Sequence, residues 1–263
     1  MQVASAHLLV SHGSRDPRSQ IALRQLASRL RQRKPAIAQS RDLKLEIEGS
    51  AAVSNQPALS LIDTACLEAA PAPLHATIER VAQKAREAGL NRLEILPLFL
   101  LAGVHVKEDI PREVAIAQRA LGESVRVELR PYLGSYPRLA NLLTQQLERL
   151  PAQARILLSH GSRRPGGNQP CQEIASRLGA IPAYWSVSPT LAERIETLAR
   201  SGEQSIAILP YFLFSGGITD AIAQQIQQLK QAFPKLKLLL GEPLGATAEL
   251  ADLIIEEIDE WRE

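Results

Sequence analysis

Only two cysteines occur in the 263 residues, Cys66 and Cys171, and neither belongs to a CxxC pair. That excludes a disulfide framework and a cysteine metal cluster, so both are expected as free buried thiols. An excess of one charge is also lacking. The 30 Lys and Arg nearly balance the 28 Asp and Glu, for a net charge of +2 with no long basic run, which argues against nucleic acid as a partner. Local clusters of Arg can still hold an anionic small molecule. No apolar stretch reaches the ~20 residues that cross a bilayer, and the first strand begins without the charged segment and cleavable apolar region of a signal peptide. A cytoplasmic protein with no membrane partner is expected. A glycine-rich phosphate loop ending in Gly-Lys-Ser or Gly-Lys-Thr is missing too, so nothing points to a nucleotide.

What is present is enough apolar material, 45% of the chain, to fill the core of two ordinary domains or one large one. Residues 8–11 read as a first strand and 19–33 as a helix carrying Leu23, Leu26, Ala27 and Leu30 at helical spacing, closed by Pro35. Residues 36–57 read as an insertion, with Leu43, Leu45 and Ile47 alternating like an edge strand. A second strand at 61–67 follows, then a helix through Ile78, Val81 and Ala85 that ends at Gly89. Residues 95–101 form a near-continuous apolar run, as in a parallel strand covered on both faces. Gly103 then turns the chain, and Asp109-Ile110-Pro111 starts a helix that ends at Gly122, with Asp109 as its cap. A strand at 125–129 and a helix at 137–150 complete the βαβα order of a mainly parallel α/β sheet.

The pattern then begins again. Ile156-Leu157-Leu158-Ser159-His160-Gly161-Ser162-Arg163 repeats the segment ending Ser11-His12-Gly13-Ser14-Arg15, and His160 follows His12 by 148 positions. Ile208-Leu209-Pro210-Tyr211-Phe212-Leu213 repeats Ile95-Leu96-Pro97-Leu98-Phe99-Leu100, 113 positions on. The chain is an internal duplication of two tandem α/β domains, 1–150 and 151–263, joined near Leu150-Pro151-Ala152. The seam is short, so the halves are expected to pack closely.

Duplication lets the chain be compared with itself. His12 and His105 each lie just beyond a strand's carboxyl end, where open α/β sheets place their ligands. The second half keeps His160 at the first position but has Ile218 opposite His105. If chemistry needs both histidines, only the first half can perform it, and the second serves packing or forms a wall of the cleft. Two imidazoles on neighbouring strands can converge on one divalent ion, and without thiolates such a site is incomplete and open. For each histidine read alone, a ring hydrogen-bonded in a tight turn is the lesser alternative. His7 and His75 are expected to be structural or solvated. Arg15, Arg18 and Lys107 flank the pair and suit carboxylate or phosphate groups, although a solvated face explains them as well. Glu108 and Asp109 are candidates to support His105 or to favour the helix start.

The stretch Gly103-Val104-His105-Val106-Lys107-Glu108-Asp109-Ile110-Pro111, together with Ser11-His12-Gly13-Ser14-Arg15, resembles the CbiX/SirB group of sirohydrochlorin chelatases in its two-domain long form. The resemblance spans nearly the whole chain. It implies ATP-independent insertion of Co2+ or Fe2+ into sirohydrochlorin, in cobalamin or sirohaem synthesis, by a lyase of the metal-chelatase class. It assigns metal binding and catalysis to His12 and His105 and gives Arg15, Arg18 and Lys107 the substrate's carboxylates. The metal is then a substrate, with no cofactor permanently bound. Short members of the group pair as homodimers, so this chain resembles such a dimer fused into a monomer. It departs from long forms with a histidine-rich or iron–sulfur tail, since 247–261 reads as a plain helix. A non-catalytic metal or tetrapyrrole carrier is the alternative. A histidine phosphatase is a poorer one, because Ser11 stands where that group has Arg before its histidine.

Overall fold

The computed structural model describes residues 5–42 and 61–261, which form two sheets of four parallel strands with helices on both faces. The first half runs β1 (Ala6–Ser11), α1 (Pro17–Asp42), β2 (Ile62–Cys66), α2 (Leu74–Glu87), β3 (Arg92–Pro97), α3 (Ile110–Leu121), β4 (Arg126–Leu129) and α4 (Leu139–Glu148). The second runs β5 (Ala154–Ser159), α5 (Gln169–Arg177), β6 (Ile181–Tyr184), α6 (Leu191–Arg200), β7 (Ser205–Pro210), α7 (Gly217–Ala232), β8 (Lys237–Leu240) and α8 (Ala248–Glu260). The strand orders are β2-β1-β3-β4 and β6-β5-β7-β8, so the duplication read in the sequence is a duplication of topology. In both sheets the chain order reverses beside the first strand, which leaves a crevice at the strands' carboxyl ends.

The alternation of a strand decides what each face meets. In β1, Leu8 and Val10 pack with Ile78 and Val81 of α2 and Ile110 and Val114 of α3. Leu9 points the other way, into a cluster that holds Leu23, Leu26 and Leu30 of α1, Leu143 of α4, Cys171 of α5 and Ile254 of α8. Helices from both halves therefore share one central layer between the two sheets. Ile156 and Leu158 of β5 turn outward to Ile195 of α6 and Ile222 of α7. A shared core of this kind fixes the halves against each other, as the short seam implied.

Two expectations change. The strand expected at 95–101 ends at Pro97. Three of its remaining apolar residues serve the shared core: Leu98 is buried and Leu100 and Leu101 pack against that cluster, while Tyr211 Oη donates to the Leu100 carbonyl at 3.1 Å. The first helix does not stop at Pro35 but continues to Asp42. A proline costs a helix one hydrogen bond and a kink, and the Ala-Ile-Ala-Gln that follows is competent to carry the helix past it. The edge strand expected through Leu43, Leu45 and Ile47 lies outside the described residues.

Candidate metal centre

The turn after β1 is built around a glycine that nothing else can replace. Gly13 has φ +95°, and a Cβ there would stand 2.0 Å from the Glu68 carbonyl oxygen. That close approach joins the ends of β1 and β2, because the Glu68 N–H donates to the His12 carbonyl at 2.8 Å. His12 and Glu68 are thus brought side by side at the carboxyl ends of adjacent strands.

His105 arrives from β3 on a different support. The helix was expected to start at Asp109; the chain instead enters a π-turn at His105–Asp109, which runs directly into α3. The Ile110 N–H reaches back to the His105 carbonyl, the five-residue spacing of such a turn. Asp109 makes no capping hydrogen bond. Its Oδ2 lies 2.8 Å from His105 Nδ1 instead, so of the two acids proposed to support His105, Asp109 does so.

The three side chains converge. His12 Nε2 is 3.8 Å from Glu68 Oε2, and His105 Nε2 is 3.9 Å from Glu68 Oε1. The imidazole centroids are 4.8 Å apart with planes at 80°, and one ligand atom from each of the three residues fits within 4.8 Å of the others. Both Nδ1 atoms face acceptors: His12 Nδ1 the Gly13 carbonyl at 3.1 Å and His105 Nδ1 the Asp109 carboxylate. The ring protons therefore belong on Nδ1, leaving both Nε2 lone pairs toward the same point as Glu68. A tetrahedral ion with bonds of about 2.1 Å separates its ligand atoms by about 3.4 Å, so small side-chain rotations close the set. Phe99 flanks both rings, with centroids 6.3 Å from His12 and 6.1 Å from His105.

The site is open: His12 is 54% exposed and Glu68 56%. Three ligands and an open face suit an ion that is held briefly and released, unlike the closed four-ligand set of structural zinc. Sequence reasoning missed Glu68. The signal was available, since Glu68 follows the strand expected at 61–67 as His12 follows the first strand.

The second half shows what was lost. The Ser186 N–H donates to the His160 carbonyl at 2.9 Å, which makes Ser186 the counterpart of Glu68. Ile218, opposite His105, is 37% exposed, and buried Ile222 stands where Asp109 would be. Only His160 remains, with Nδ1 on the Gly161 carbonyl at 3.0 Å and near the Ser186 hydroxyl.

Of the flanking cations, Arg15 is exposed beside His12 and Lys107 is exposed on the π-turn. Arg18 is engaged elsewhere: its guanidinium lies 2.6 Å from Asp16 Oδ2 and 2.6 Å from Asp220 Oδ2 of the second half. The hydrogen bonds from Arg18 hold both carboxyls below the usual carboxylate range. His7 and His75 are structural. His7 is fully buried with Nε2 3.5 Å from Glu94, and Glu113 accepts from the His75 backbone N–H and lies 2.7 Å from its ring. Both cysteines are free, Cys171 buried and Cys66 partly so.

A family model, CbiX, matches residues 52–150 and again 154–261. The chain belongs to the CbiX family. The second match spans the whole second sheet and the first spans β2, β3 and β4 of the first sheet, so both halves carry CbiX sequence. Among curated relatives, a sirohydrochlorin ferrochelatase of Priestia megaterium is 27% identical over 198 residues, covering 69% of this chain and 72% of the relative. A sirohydrochlorin cobaltochelatase of Methanopyrus kandleri is 38% identical over 134 residues, covering 40% of this chain and 94% of that shorter relative. Among solved structures, SirB from Bacillus subtilis with Fe3+ superposes with a TM-score of 0.68 at 21% identity, over 98% of this chain and 95% of that one. Its likeness establishes the two-domain fold. Among the described residues no helix is long and apolar enough to cross a membrane.

Proposed function

We propose that this CbiX-family chain is a sirohydrochlorin chelatase that inserts a divalent metal ion, Co2+ or Fe2+, into the macrocycle without ATP, in the cytoplasm and as a monomer. The observation that carries the reading is the convergence of His12 Nε2, His105 Nε2 and the Glu68 carboxylate on one open point. Relatives named both ferrochelatase and cobaltochelatase support the reaction and leave either metal admissible. Imidazole and carboxylate accept both ions. In this reading residues 1–150 carry the working site and residues 151–263 a degenerate copy, and the metal is cargo, with no resident cofactor.

The chemistry asked of the site is an exchange. The ion leaves three protein ligands for the macrocycle nitrogens, and two N–H protons leave the macrocycle. Glu68 and the imidazoles lose their positive partner at that moment and become proton acceptors, and their exposure lets those protons pass on to water. Asp109 keeps the His105 proton on Nδ1, so Nε2 stays available to the ion. Arg15 and Lys107 stand beside the two histidines as cations for the carboxylate-rich substrate.

The test is anaerobic insertion of Co2+ and of Fe2+ into sirohydrochlorin, followed by the macrocycle's absorbance. Wild-type rates above the metal-plus-substrate blank are expected. Rates equal to the blank, with stoichiometric binding retained, would leave a carrier as the better account.

A further inference from the structure

The turn after β1 in the first half meets the start of α7 in the second, and the equivalent parts of the opposite halves are the turn after β5 and the start of the His105 π-turn. Matching the halves at His12 and His160 pairs Asp16 with Arg164 and Arg18 with Gly166. Matching them at Ile95 and Ile208 pairs Gly103 with Gly216 and Lys107 with Asp220. At the first seam the turn after β1 lies on the start of α7: a Cβ at Gly216 would stand 3.7 Å from Asp16 Oδ2 and 3.8 Å from Ser19 Oγ. Arg18 bridges it, between Asp16 and Asp220.

The twin of this seam would join the turn after β5 to the start of the His105 π-turn. A Cβ at Gly103 would meet nothing within 4 Å, so this side is open. Its charges differ as well. Lys107 stands where the first seam has Asp220 and Arg164 where it has Asp16, with Arg163 next to it. All three are exposed, and none forms an ion pair among the described residues. Glu108, also exposed, follows Lys107 and leaves the group net positive.

Core packing brings α5, the helix that follows the Arg163-Arg164 turn, to the strand ends around the metal centre: Cys171 and Ala175 share a buried cluster with Leu98 and Leu133, and Cys66, two residues before Glu68, packs against it. Leu133 belongs to the loop after β4. That loop sits on the approach to His105, since the Gly134 N–H donates to the Phe99 carbonyl at 2.8 Å. The turn that leads into α5 is held firmly. The Arg164 N–H donates to Ser162 Oγ at 3.2 Å, and Asn168 both accepts from the Ser162 N–H at 2.7 Å and donates to its carbonyl at 3.0 Å. The cations are thus presented on a fixed turn rather than a loose one.

We propose that this open seam is the docking edge for the substrate's carboxylates, with Arg163 and Arg164 of the second half and Lys107 of the first as the cations that receive them. The proposal rests on the chelatase reading above. It gives the second half a part in the reaction although two of its three metal-site positions are gone. The first seam, its Arg18 neutralised by two carboxylates, is the closed side.

The experiment titrates metal-free sirohydrochlorin onto wild type, the double variant Arg163→Gln/Arg164→Gln, Lys107→Gln and the remote control Lys235→Gln, at low and high salt. The double variant is expected to bind about tenfold more weakly, with a shallower salt dependence, as loss of two exposed charge pairs predicts. KM should rise by the same factor at unchanged kcat, and Lys235→Gln should behave as wild type. A double variant that binds like wild type, with the same salt dependence, overturns the docking edge. Weaker binding by the double variant beside a wild type that inserts no metal overturns the reaction and sustains the edge. Wild type that does not bind sirohydrochlorin overturns both.

Discussion

His105 Nδ1 and Asp109 Oδ2 are 2.8 Å apart within a single π-turn, and this contact fixes both the tilt of the imidazole and the nitrogen that carries its proton. Asp109→Ala removes the acceptor, and Asp109→Asn can offer an N–H that drives the ring proton to Nε2. Loss of such a partner typically weakens metal binding by about 10- to 100-fold. Both variants should lose Co2+ affinity by that order in a calorimetric titration, with the asparagine variant no better than the alanine one. Sirohydrochlorin binding should stay unchanged. A wild-type metal affinity in both would remove Asp109 from the site's architecture.

The three-residue centre predicts an ordering that the histidines alone would not. Glu68→Gln keeps the side chain's volume but removes its charge, and should weaken Co2+ binding by at least about tenfold, as should His12→Ala and His105→Ala. His160→Ala should stay within about twofold of wild type, because Ser186 and Ile218 occupy the other two positions of its half. Protons compete with the ion for the imidazoles, so affinity should also fall as the medium is acidified. Rates with each metal, measured beside the binding constants, would expose a second working site if His160→Ala lost activity.

How far this site could be read beforehand depended on which residues carried a local signal. His12 and His105 were legible because each sits past a strand end inside a motif, and the repeat showed which of them the second half had lost. Glu68 carried a weaker signal, its place past the end of the second strand, because no repeat of a carboxylate marks its position: its counterpart is Ser186. The π-turn is masked by the residues that follow it. Asp109-Ile110-Pro111 carries helix-start chemistry, but the Asp109 carboxylate is taken by His105, and the chain is already turning at Val104. The over-long strand at 95–101 has a similar origin. Leu98, Leu100 and Leu101 are apolar because they meet the second half, a tertiary demand that periodicity cannot separate from sheet burial.

Gly13 offers a test of the turn that brings His12 to Glu68. An alanine there meets two penalties, a left-handed backbone and a Cβ 2.0 Å from the Glu68 carbonyl oxygen. At Gly89, φ +75° imposes the first penalty alone, with nothing within 4 Å of the added carbon. Gly89→Ala should cost about 1 kcal/mol, and Gly13→Ala about 2–3 kcal/mol, in urea unfolding. Gly13→Ala should also weaken Co2+ binding at temperatures where it remains folded, because relief of the clash moves His12 away from Glu68. Equal destabilisation at the two positions would mean that the β1–β2 junction yields without effect.

Arg18 and Asp220 tie the halves across an exposed seam, which sets both the size and the pH dependence of what they contribute. Hydrogen bonds from Arg18 lower the Asp220 carboxyl, and the same arginine lowers Asp16. A carboxyl lowered in the folded state contributes stability above its unfolded pKa and loses it as pH falls through the folded value. The melting temperature of Arg18→Gln should therefore lie below wild type at neutral pH, and the gap should close once the pH drops beneath the ordinary carboxylate range. High salt should narrow the neutral-pH gap as well, since the partners are solvent-exposed. Because Arg18 already faces two carboxylates, its loss should raise KM for sirohydrochlorin far less than Arg163→Gln/Arg164→Gln does. An equal rise in KM would make Arg18 a substrate ligand and the bridge to Asp220 a resting arrangement that substrate displaces.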